Sequence, residues 1–476
     1  MQKERLTEAL NKTLTRLSAE SGLVGGVINV IRGGKVVYSY EYGYADREAE
    51  LPMGQDILFD VASTTKAWTV MLAAKAVDDG LLEWDTPIQN YIPEFTMLDA
   101  YAGANLTVRD AASHRCGLPA HDLLRDKITG DRENLMRKLA FLEPCAGFRA
   151  KYQYNNMMFI LLGYLVERLR GMPWEKQIEE YIAKPLGIDV FRVQGVEQDN
   201  TGLTFATPYR CDGYRAIPCA HMGTYASAPC GGLRISMKNM AKWIAAMSRG
   251  GVAEDGTRLC SETQFKEMIA PVISAQEEDY AWMKNCSYAM GWINGDYRGH
   301  NVIAHSGSHQ GFHSQAGFLP EEDCGYVISF NTGSASAHLI ARAVVLDALV
   351  DGAPRDSYDE LIDNWCRGRD RAVERMKANQ NGVPLPAEGH SALIGTFCHP
   401  AYETFEIRAE EGQLVFEYGK FRALLKQEPD GRITGYSDFL DGLTPIIITL
   451  IPQENGDIRL MHPDSADLQL LFVREG

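Results

Sequence analysis

Ser63 and Lys66 lie three residues apart, directly before an apolar run at residues 67–72. In a helix that begins at Ser63, this spacing puts the hydroxyl and the amine on one face, within reach of each other. A serine hydroxyl is a weak nucleophile until a neighbouring base takes its proton, and an amine can be that base. The pair therefore indicates nucleophilic catalysis, although a serine N-cap followed by a solvent-facing lysine has the same spacing.

Two later segments carry side chains that suit the same chemistry. Tyr154 and Asn156 stand two residues apart, just before an apolar run at residues 157–162. Much later, His305 and Gly307 belong to a His-Ser-Gly-Ser sequence. A tyrosine can move a proton, while asparagine and histidine can position a substrate by hydrogen bonding. Together the three motifs favour one catalytic site assembled from distant parts of the chain.

In these motifs the chain resembles the serine β-lactamase and penicillin-binding-protein superfamily, in its class C-like branch with D-aminopeptidases, D-alanyl-D-alanine carboxypeptidases and esterases. Flanking segments that resemble the same branch are residues 43–46, 81–87, 106–110, 229–233 and 291–292. The resemblance covers roughly the first three-quarters of the chain and implies an α+β fold, with helices flanking an antiparallel sheet.

The resemblance also implies catalytic roles. Ser63 is the predicted nucleophile, and the backbone NH groups of Ser63 and Ser308 are the predicted oxyanion hole. Lys66 and Tyr154 are alternative general bases, and the sequence does not choose between them. As a base, Lys66 must be neutral, which requires its pKa to fall from about 10.4 toward about 7.

Three residues are predicted to bind substrate: Asn156, His305 and Gly307. Asn156 is expected to hydrogen-bond both Lys66 and the acyl-side amide of the substrate. His305 is expected to donate to the Tyr154 oxygen or to a substrate carboxylate, with a charge that changes between about pH 6 and 7. Gly307 is expected to let the backbone approach the substrate closely.

Composition limits the classes of partner. The chain has 476 residues and a formal net charge of -16, which disfavours nucleic acid and anionic membranes. The first residues predict an amphipathic helix without the apolar region of a signal peptide, and the ten cysteines lack paired spacing. We therefore expect a cytoplasmic protein whose partner is a small-molecule or short-peptide substrate. No metal-ligand or nucleotide motif stands out, so no metal or cofactor is predicted, and homo-oligomer formation is left open.

The pattern along the chain predicts two folded domains. Before residue 352 it predicts a β-hairpin at residues 23–31 and 35–42, helices at 157–170, 174–183 and 335–349, and strands at 302–305, 315–318 and 325–330. We assign residues 1–352 to a β-lactamase-like serine hydrolase domain and residues 353–390 to a helical linker. The remaining residues, 391–476, are assigned to a small antiparallel β-barrel.

The barrel is predicted from a change of period. Short strands with alternating apolar residues are predicted at 404–407, 413–418, 421–425, 446–450 and 468–473, separated by glycine-containing turns. This pattern is similar to the lipocalin-like domain that follows many hydrolases of the branch. A module that packs or assembles, and that also walls the active site, is favoured over a ligand-binding barrel.

The sequence thus predicts a serine hydrolase that acts through an acyl-enzyme on a small amide, peptide or ester, of the D-aminopeptidase, amidase or carboxylesterase type. The alternative is a catalytically silent, penicillin-binding-like protein that binds a ligand or acts as a scaffold. A sensor or transpeptidase is disfavoured because neither an anchor nor an export signal is visible.

Overall fold

The fold was analysed in a computed structural model. It describes residues 1–127, 131–196, 200–212, 214–221, 223, 225–275, 282–333, 337–379, 382–419, 421–437, 446–461 and 468–475. The α-helices are α1 (Lys3–Ser21), α2 (Lys66–Asp78), α3 (Ala100–Asn105), α4 (Val108–Ala112), α5 (Asp122–Lys127), α6 (Arg132–Lys138), α7 (Asn156–Arg170), α8 (Trp174–Ile178), α9 (Ala228–Gly231), α10 (Met237–Met247), α11 (Glu262–Ile269), α12 (Ala337–Val350) and α13 (Asp359–Asn379).

The strands fall into a catalytic half and a C-terminal group. Those of the first half are β1 (Gly25–Arg32), β2 (Lys35–Asp46), β3 (Leu51–Pro52), β4 (Leu58–Asp60), β5 (Phe191–Val193), β6 (Tyr209–Cys211), β7 (Ala216–Pro218), β8 (Leu233–Ser236), β9 (Ile273–Ser274), β10 (Lys284–Tyr288), β11 (Ile293–Tyr297), β12 (His300–His309), β13 (Phe312–Leu319) and β14 (Cys324–Phe330). Those of the second are β15 (Val383–Pro384), β16 (Gly395–His399), β17 (Glu403–Glu410), β18 (Gln413–Tyr418), β19 (Phe421–Gln427), β20 (Ile433–Ser437), β21 (Ile446–Pro452), β22 (Ile458–Met461) and β23 (Gln469–Arg474).

The main sheet of the catalytic half joins the two ends of that half. Within the described part of the chain it has nine antiparallel strands in the order β3-β2-β1-β14-β13-β12-β11-β10-β9. The first hairpin, β1 and β2, therefore pairs with the last strand, β14. The predicted hairpin at residues 23–42 is confirmed, and most of the helices are inserted between β2 and β9.

Helices cover both faces of this sheet, because alternate residues of each strand point to opposite sides. On one face, Ile28 and Val30 pack with α1 and α12; on the other, Val27 and Ile31 pack with the core around α2, α7 and α10. The predicted α+β class is confirmed. Among the residues that the structure describes, no helix combines the length and apolarity needed to cross a lipid bilayer.

The C-terminal strands form a closed barrel. In the described residues, eight strands follow the order β19-β18-β17-β16-β23-β22-β21-β20, and the pairing of β20 with β19 closes the ring. The interior contains phenylalanines that are at most 3% exposed, namely Phe397, Phe405, Phe416, Phe421 and Phe472. These side chains fill the described interior, as expected for a packing module.

The positions of the domain boundaries at residues 352 and 390 stay predictions. In the linker segment, α13 runs from Asp359 to Asn379, close to the charged helix expected there. One of the predicted glycine-containing turns of the barrel, at residues 441–442, lies outside the described residues. The apolar core of the barrel is continuous with the core of the catalytic half.

Candidate active site

Ser63 lies in a turn of 3-10 helix, Ala62–Thr65, and α2 begins only at Lys66. In a 3-10 helix, side chains three residues apart are aligned, so the geometry still brings Ser63 and Lys66 together. Ala62, just before the nucleophile, has a φ of 47°. This left-handed conformation is disfavoured for alanine and persists only where the surroundings hold it.

Several contacts hold the Ser63 turn through the carbonyl group of Val61, the residue directly before the turn. The Val61 oxygen accepts hydrogen bonds from the hydroxyls of Ser314 and Thr64, each at 2.8 Å. The strand β12 passes close by, and a Cβ added to Gly307 would lie 2.3 Å from the same oxygen. The space that this glycine leaves is thus used by the protein's own backbone. The predicted contact of Gly307 with substrate stays a prediction.

Lys66 is fully buried and connects three elements of the fold. Its Nζ donates hydrogen bonds to Ser63 Oγ at 2.9 Å, to Asn156 Oδ1 at 2.7 Å and to the Cys230 carbonyl oxygen at 2.7 Å. Asn156 opens α7, and Cys230 lies in the short helix α9. The predicted bond between Asn156 and Lys66 is therefore present.

Tyr154 lies beside this lysine. Lys66 Nζ is 4.8 Å from the centroid of the Tyr154 ring. The His114 ring packs against the Tyr154 ring, with the two ring centroids 4.3 Å apart. His114 is buried, and its Nδ1 accepts a hydrogen bond from the Asn155 NH at 2.9 Å. Burial, together with Lys66 and His305, holds the pKa of His114 well below its ordinary value. A neutral His114 thus fixes the backbone beside Tyr154.

His305 is 3% exposed and bonded to protein through both ring nitrogens. Nδ1 lies 2.5 Å from the Ser306 carbonyl oxygen, so it carries the proton, and Nε2 accepts from the Tyr288 hydroxyl at 2.8 Å. Burial and then the charge of Lys66 lower the pKa of His305 to about 3. The expected change of charge between about pH 6 and 7 is therefore wrong. Because its N–H is directed to Ser306, His305 does not make the donation to the Tyr154 oxygen that was one of its two expected roles, and a direct contact with substrate stays a prediction.

Ser308 is exposed at the edge of a cleft that opens over Ser63. The cleft is lined by Ala62, Ser63, Asn156, Gln194, Gly223, Ser227, Cys230, Gly231, Ser308 and His309. The side chains are short and most are uncharged. Both predicted oxyanion donors, Ser63 and Ser308, belong to this lining, which is compatible with the role predicted for their NH groups.

Sequence reasoning missed several supporting groups. Asp122 Oδ1 accepts a hydrogen bond from Asn156 Nδ2 at 2.8 Å, and Tyr288 holds His305. Behind the nucleophile turn, buried Asp60 is held by Arg234 at 2.5 Å and His221 at 3.3 Å. Burial would raise the pKa of Asp60, but these partners and His309 hold it below its ordinary value. No local motif signals these contacts.

In the part of the chain that the structure describes, no cluster of three or more His, Cys, Asp or Glu side chains is arranged to hold a metal ion.

Known proteins share the part of the chain that contains this site. The sequence model of the β-lactamase family matches residues 10–349. The chain belongs to the β-lactamase family. Its site therefore lies within the part that is shared with other members.

Individual proteins that the chain resembles have sequence identities of 20% to 30% to it. The unguisins hydrolase ungD' of Aspergillus campestris is 26% identical over 472 residues, covering 94% of this chain and 81% of that protein. Esterase EstB of Burkholderia gladioli is 30% identical over 219 residues, covering 43% of this chain and 55% of EstB. The octameric penicillin-binding protein homologue from Pyrococcus abyssi has a similar fold, with a TM-score of 0.60 and 20% identity, covering 98% of this chain and 99% of that one.

Proposed function

We propose that the protein is a serine hydrolase that cleaves a small amide, peptide or ester through an acyl-enzyme on Ser63. The observation that carries this proposal is the position of Lys66 Nζ, 2.9 Å from Ser63 Oγ. A protonated Lys66 donates to all three of these partners, whereas the neutral amine that acts as a base has two N–H donors and one lone pair. Asn156 Oδ1 and the Cys230 carbonyl can take the two donors, which leaves the lone pair for the Ser63 proton. This arrangement supports Lys66 as the general base.

The proposed reaction has two stages. Ser63 Oγ attacks the substrate carbonyl carbon while its proton passes to Lys66, and the NH groups of Ser63 and Ser308 stabilise the oxyanion. Tyr154 donates a proton to the leaving group and takes one back from the water that hydrolyses the acyl-enzyme, while Lys66 returns its proton to Ser63 Oγ. Tyr154 as the base is the alternative, since Lys66 Nζ lies 4.8 Å from its ring centroid.

The lining of the cleft supports a substrate that carries an amide. Asn156 and Gln194 bring side-chain amides to the lining, and such groups pair well with an amide of the substrate. The names of the relatives, a hydrolase and an esterase, agree with acyl transfer. We therefore propose a D-aminopeptidase, amidase or carboxylesterase type of activity.

The first experiment is intact-mass analysis after incubation with a fluorophosphonate. A single adduct on the wild type and none on Ser63→Ala is expected, because only an activated serine reacts readily. A panel of esters and D-aminoacyl amides then defines the substrate, and Ser63→Ala should lower kcat by about 10⁶-fold, as loss of the nucleophile does in other serine hydrolases. No adduct on either protein would favour the silent ligand-binding or scaffold alternative.

A further inference from the structure

One turn of the barrel contacts the catalytic half beside the active site. It connects β16 with β17 and spans residues 399–403. The Tyr402 hydroxyl is hydrogen-bonded to His121 Nδ1 at 2.8 Å, and Glu403 accepts from Lys138 Nζ at 2.7 Å. The shape of the turn is fixed from inside, because His399 Nδ1 accepts from the NH groups of Ala401 and Tyr402. The barrel therefore presents Tyr402 in a defined position.

His121, the partner of Tyr402, lies directly before α5. Its side chain is fully buried, and its carbonyl accepts the Leu124 NH at 3.1 Å. Its φ is 53°, a left-handed conformation that a non-glycine residue keeps only when neighbouring contacts determine it. The hydrogen bond from Tyr402 is such a contact. A shift of His121 would move the next residue, Asp122.

Asp122 determines which way the Asn156 amide points. A carboxylate can only accept, so Asn156 must turn its NH₂ group toward Asp122 Oδ1, which lies 2.8 Å from Nδ2. The amide oxygen is then left to face Lys66 Nζ, at 2.7 Å. With the amide reversed, an NH₂ group would face the lysine and the bond would be lost. The carboxylate thus fixes the acceptor that holds Lys66.

We propose that Tyr402 and Asp122 are positioning residues for Lys66. The barrel turn holds His121 through Tyr402, His121 places Asp122, and Asp122 orients Asn156 toward the lysine. The barrel thereby contributes to the catalytic site without contacting the reacting atoms. The effect on kcat rests on the proposed function, whereas the effect on the Asn156 amide does not.

The kinetic test uses the full chain with Tyr402→Phe, Asp122→Ala, Asp122→Asn and the double variant Tyr402→Phe/Asp122→Ala. The matched control is Tyr436→Phe, which removes another tyrosine hydroxyl of the barrel, one bonded to Glu428 at 3.0 Å. Misplacing a catalytic group by about 1 Å can cost about 100-fold. We expect kcat and the rate of fluorophosphonate labelling to fall about tenfold in Tyr402→Phe and about 100-fold in Asp122→Ala, with KM unchanged.

Two comparisons separate positioning from loss of structure. Asp122→Asn should keep a much higher kcat than Asp122→Ala, because its amide oxygen can still accept from Asn156. The double variant should be no slower than Asp122→Ala alone, since both changes act through one chain of contacts. A kcat for Tyr402→Phe equal to that of Tyr436→Phe, or additive losses in the double variant, would overturn the proposal.

Neutron crystal structures of the two Asp122 variants, which distinguish the amide oxygen of Asn156 from its nitrogen, give a readout independent of activity. The contact between Lys66 Nζ and Asn156 Oδ1 should be lost in Asp122→Ala and kept in Asp122→Asn. A contact kept in Asp122→Ala would overturn the positioning role, even if the enzyme were active. An inactive wild type with the expected pair of structures would instead reject only the proposed hydrolase function.

Discussion

The open sheet of the catalytic half and the closed C-terminal barrel bury different kinds of side chain. Around the open sheet, Lys66, Asp60 and His305 are each at most 3% exposed, and each is held by hydrogen bonds or ion pairs. The described barrel interior is instead filled by phenylalanines such as Phe405 and Phe416. Buried polar groups cost free energy unless they are paired, whereas buried apolar groups stabilise the fold.

Because of this difference, substitutions in the two halves should change different properties of the protein. In the catalytic half, buried polar side chains fix one another in place, so altering them should affect the reaction rate first. In the barrel, the interior contributes folding free energy, and the effect on the reaction comes from the outer turn around Tyr402. Each substitution below therefore has an expected balance between activity and stability.

Among the substitutions that keep Ser63, replacing Lys66 by methionine should have the largest effect on activity. General acid-base catalysis contributes about 10²- to 10⁴-fold, and methionine keeps the length of the side chain but removes the amine. We expect kcat on the best substrate of the panel to fall within that range. The matched control is Lys75→Met on the same helix, which breaks a partly exposed pair with Asp79 and a cation–π contact with the Tyr181 ring. Activity of Lys66→Met within tenfold of the control would favour Tyr154 as the base.

Replacing Phe416 by alanine should have the largest effect on stability. Removing a fully buried phenylalanine costs about 3 to 5 kcal/mol of the free energy of unfolding. We expect kcat per labelled active site to be unchanged in the folded fraction. Val473→Ala, at a position that is 52% exposed on a barrel strand, is the control and should change stability little. A large fall in kcat at equal labelling would show that the barrel interior and the site are not separable.

Gly307→Ala should lower activity by displacing the backbone next to the nucleophile. The new Cβ would lie 2.3 Å from the Val61 oxygen, so β12 or the nucleophile turn must shift. A displacement of this kind can cost about 100-fold in kcat. Gly54→Ala is the control, because a Cβ there meets nothing within 4 Å. Equal kcat values for the two variants would mean that the turn tolerates the shift.

The local part of the site could be predicted from sequence. The three-residue spacing of Ser63 and Lys66 and the position of Asn156 at the start of α7 are short-range features, and the structure keeps them. Asp122 and Tyr402 could not be predicted, because 34 residues separate Asp122 from Asn156 and 281 separate Tyr402 from His121. Such contacts arise only from the packing of whole elements.

Some strands of the barrel also could not be predicted from the local sequence pattern. Five of its strands were expected from alternating apolar residues, while the strands at Gly395–His399, Ile433–Ser437 and Ile458–Met461 were missed. The missed strands are only four or five residues long, and they offer few apolar positions from which a period of two can be recognised. They form because neighbouring strands supply their hydrogen bonds.

The smallest expected effect concerns His305 and pH. Its folded pKa of about 3 lies below the ordinary value of 6.5, so the unfolded chain binds the proton more readily. The stability gained from a neutral His305 is therefore complete above about pH 6.5 and is lost as the pH falls toward about 3.

His305→Gln removes this titration and can still pair with Tyr288. Between about pH 6 and pH 5, wild-type stability should fall by about 1 kcal/mol more than that of the variant. Denaturant unfolding at both pH values measures the difference. His114 and His338 are also buried with lowered pKa values, so both proteins should lose further stability in the same window. Parallel losses in the two proteins would mean that His305 is protonated in the fold, and its charge would then again be available to a substrate carboxylate.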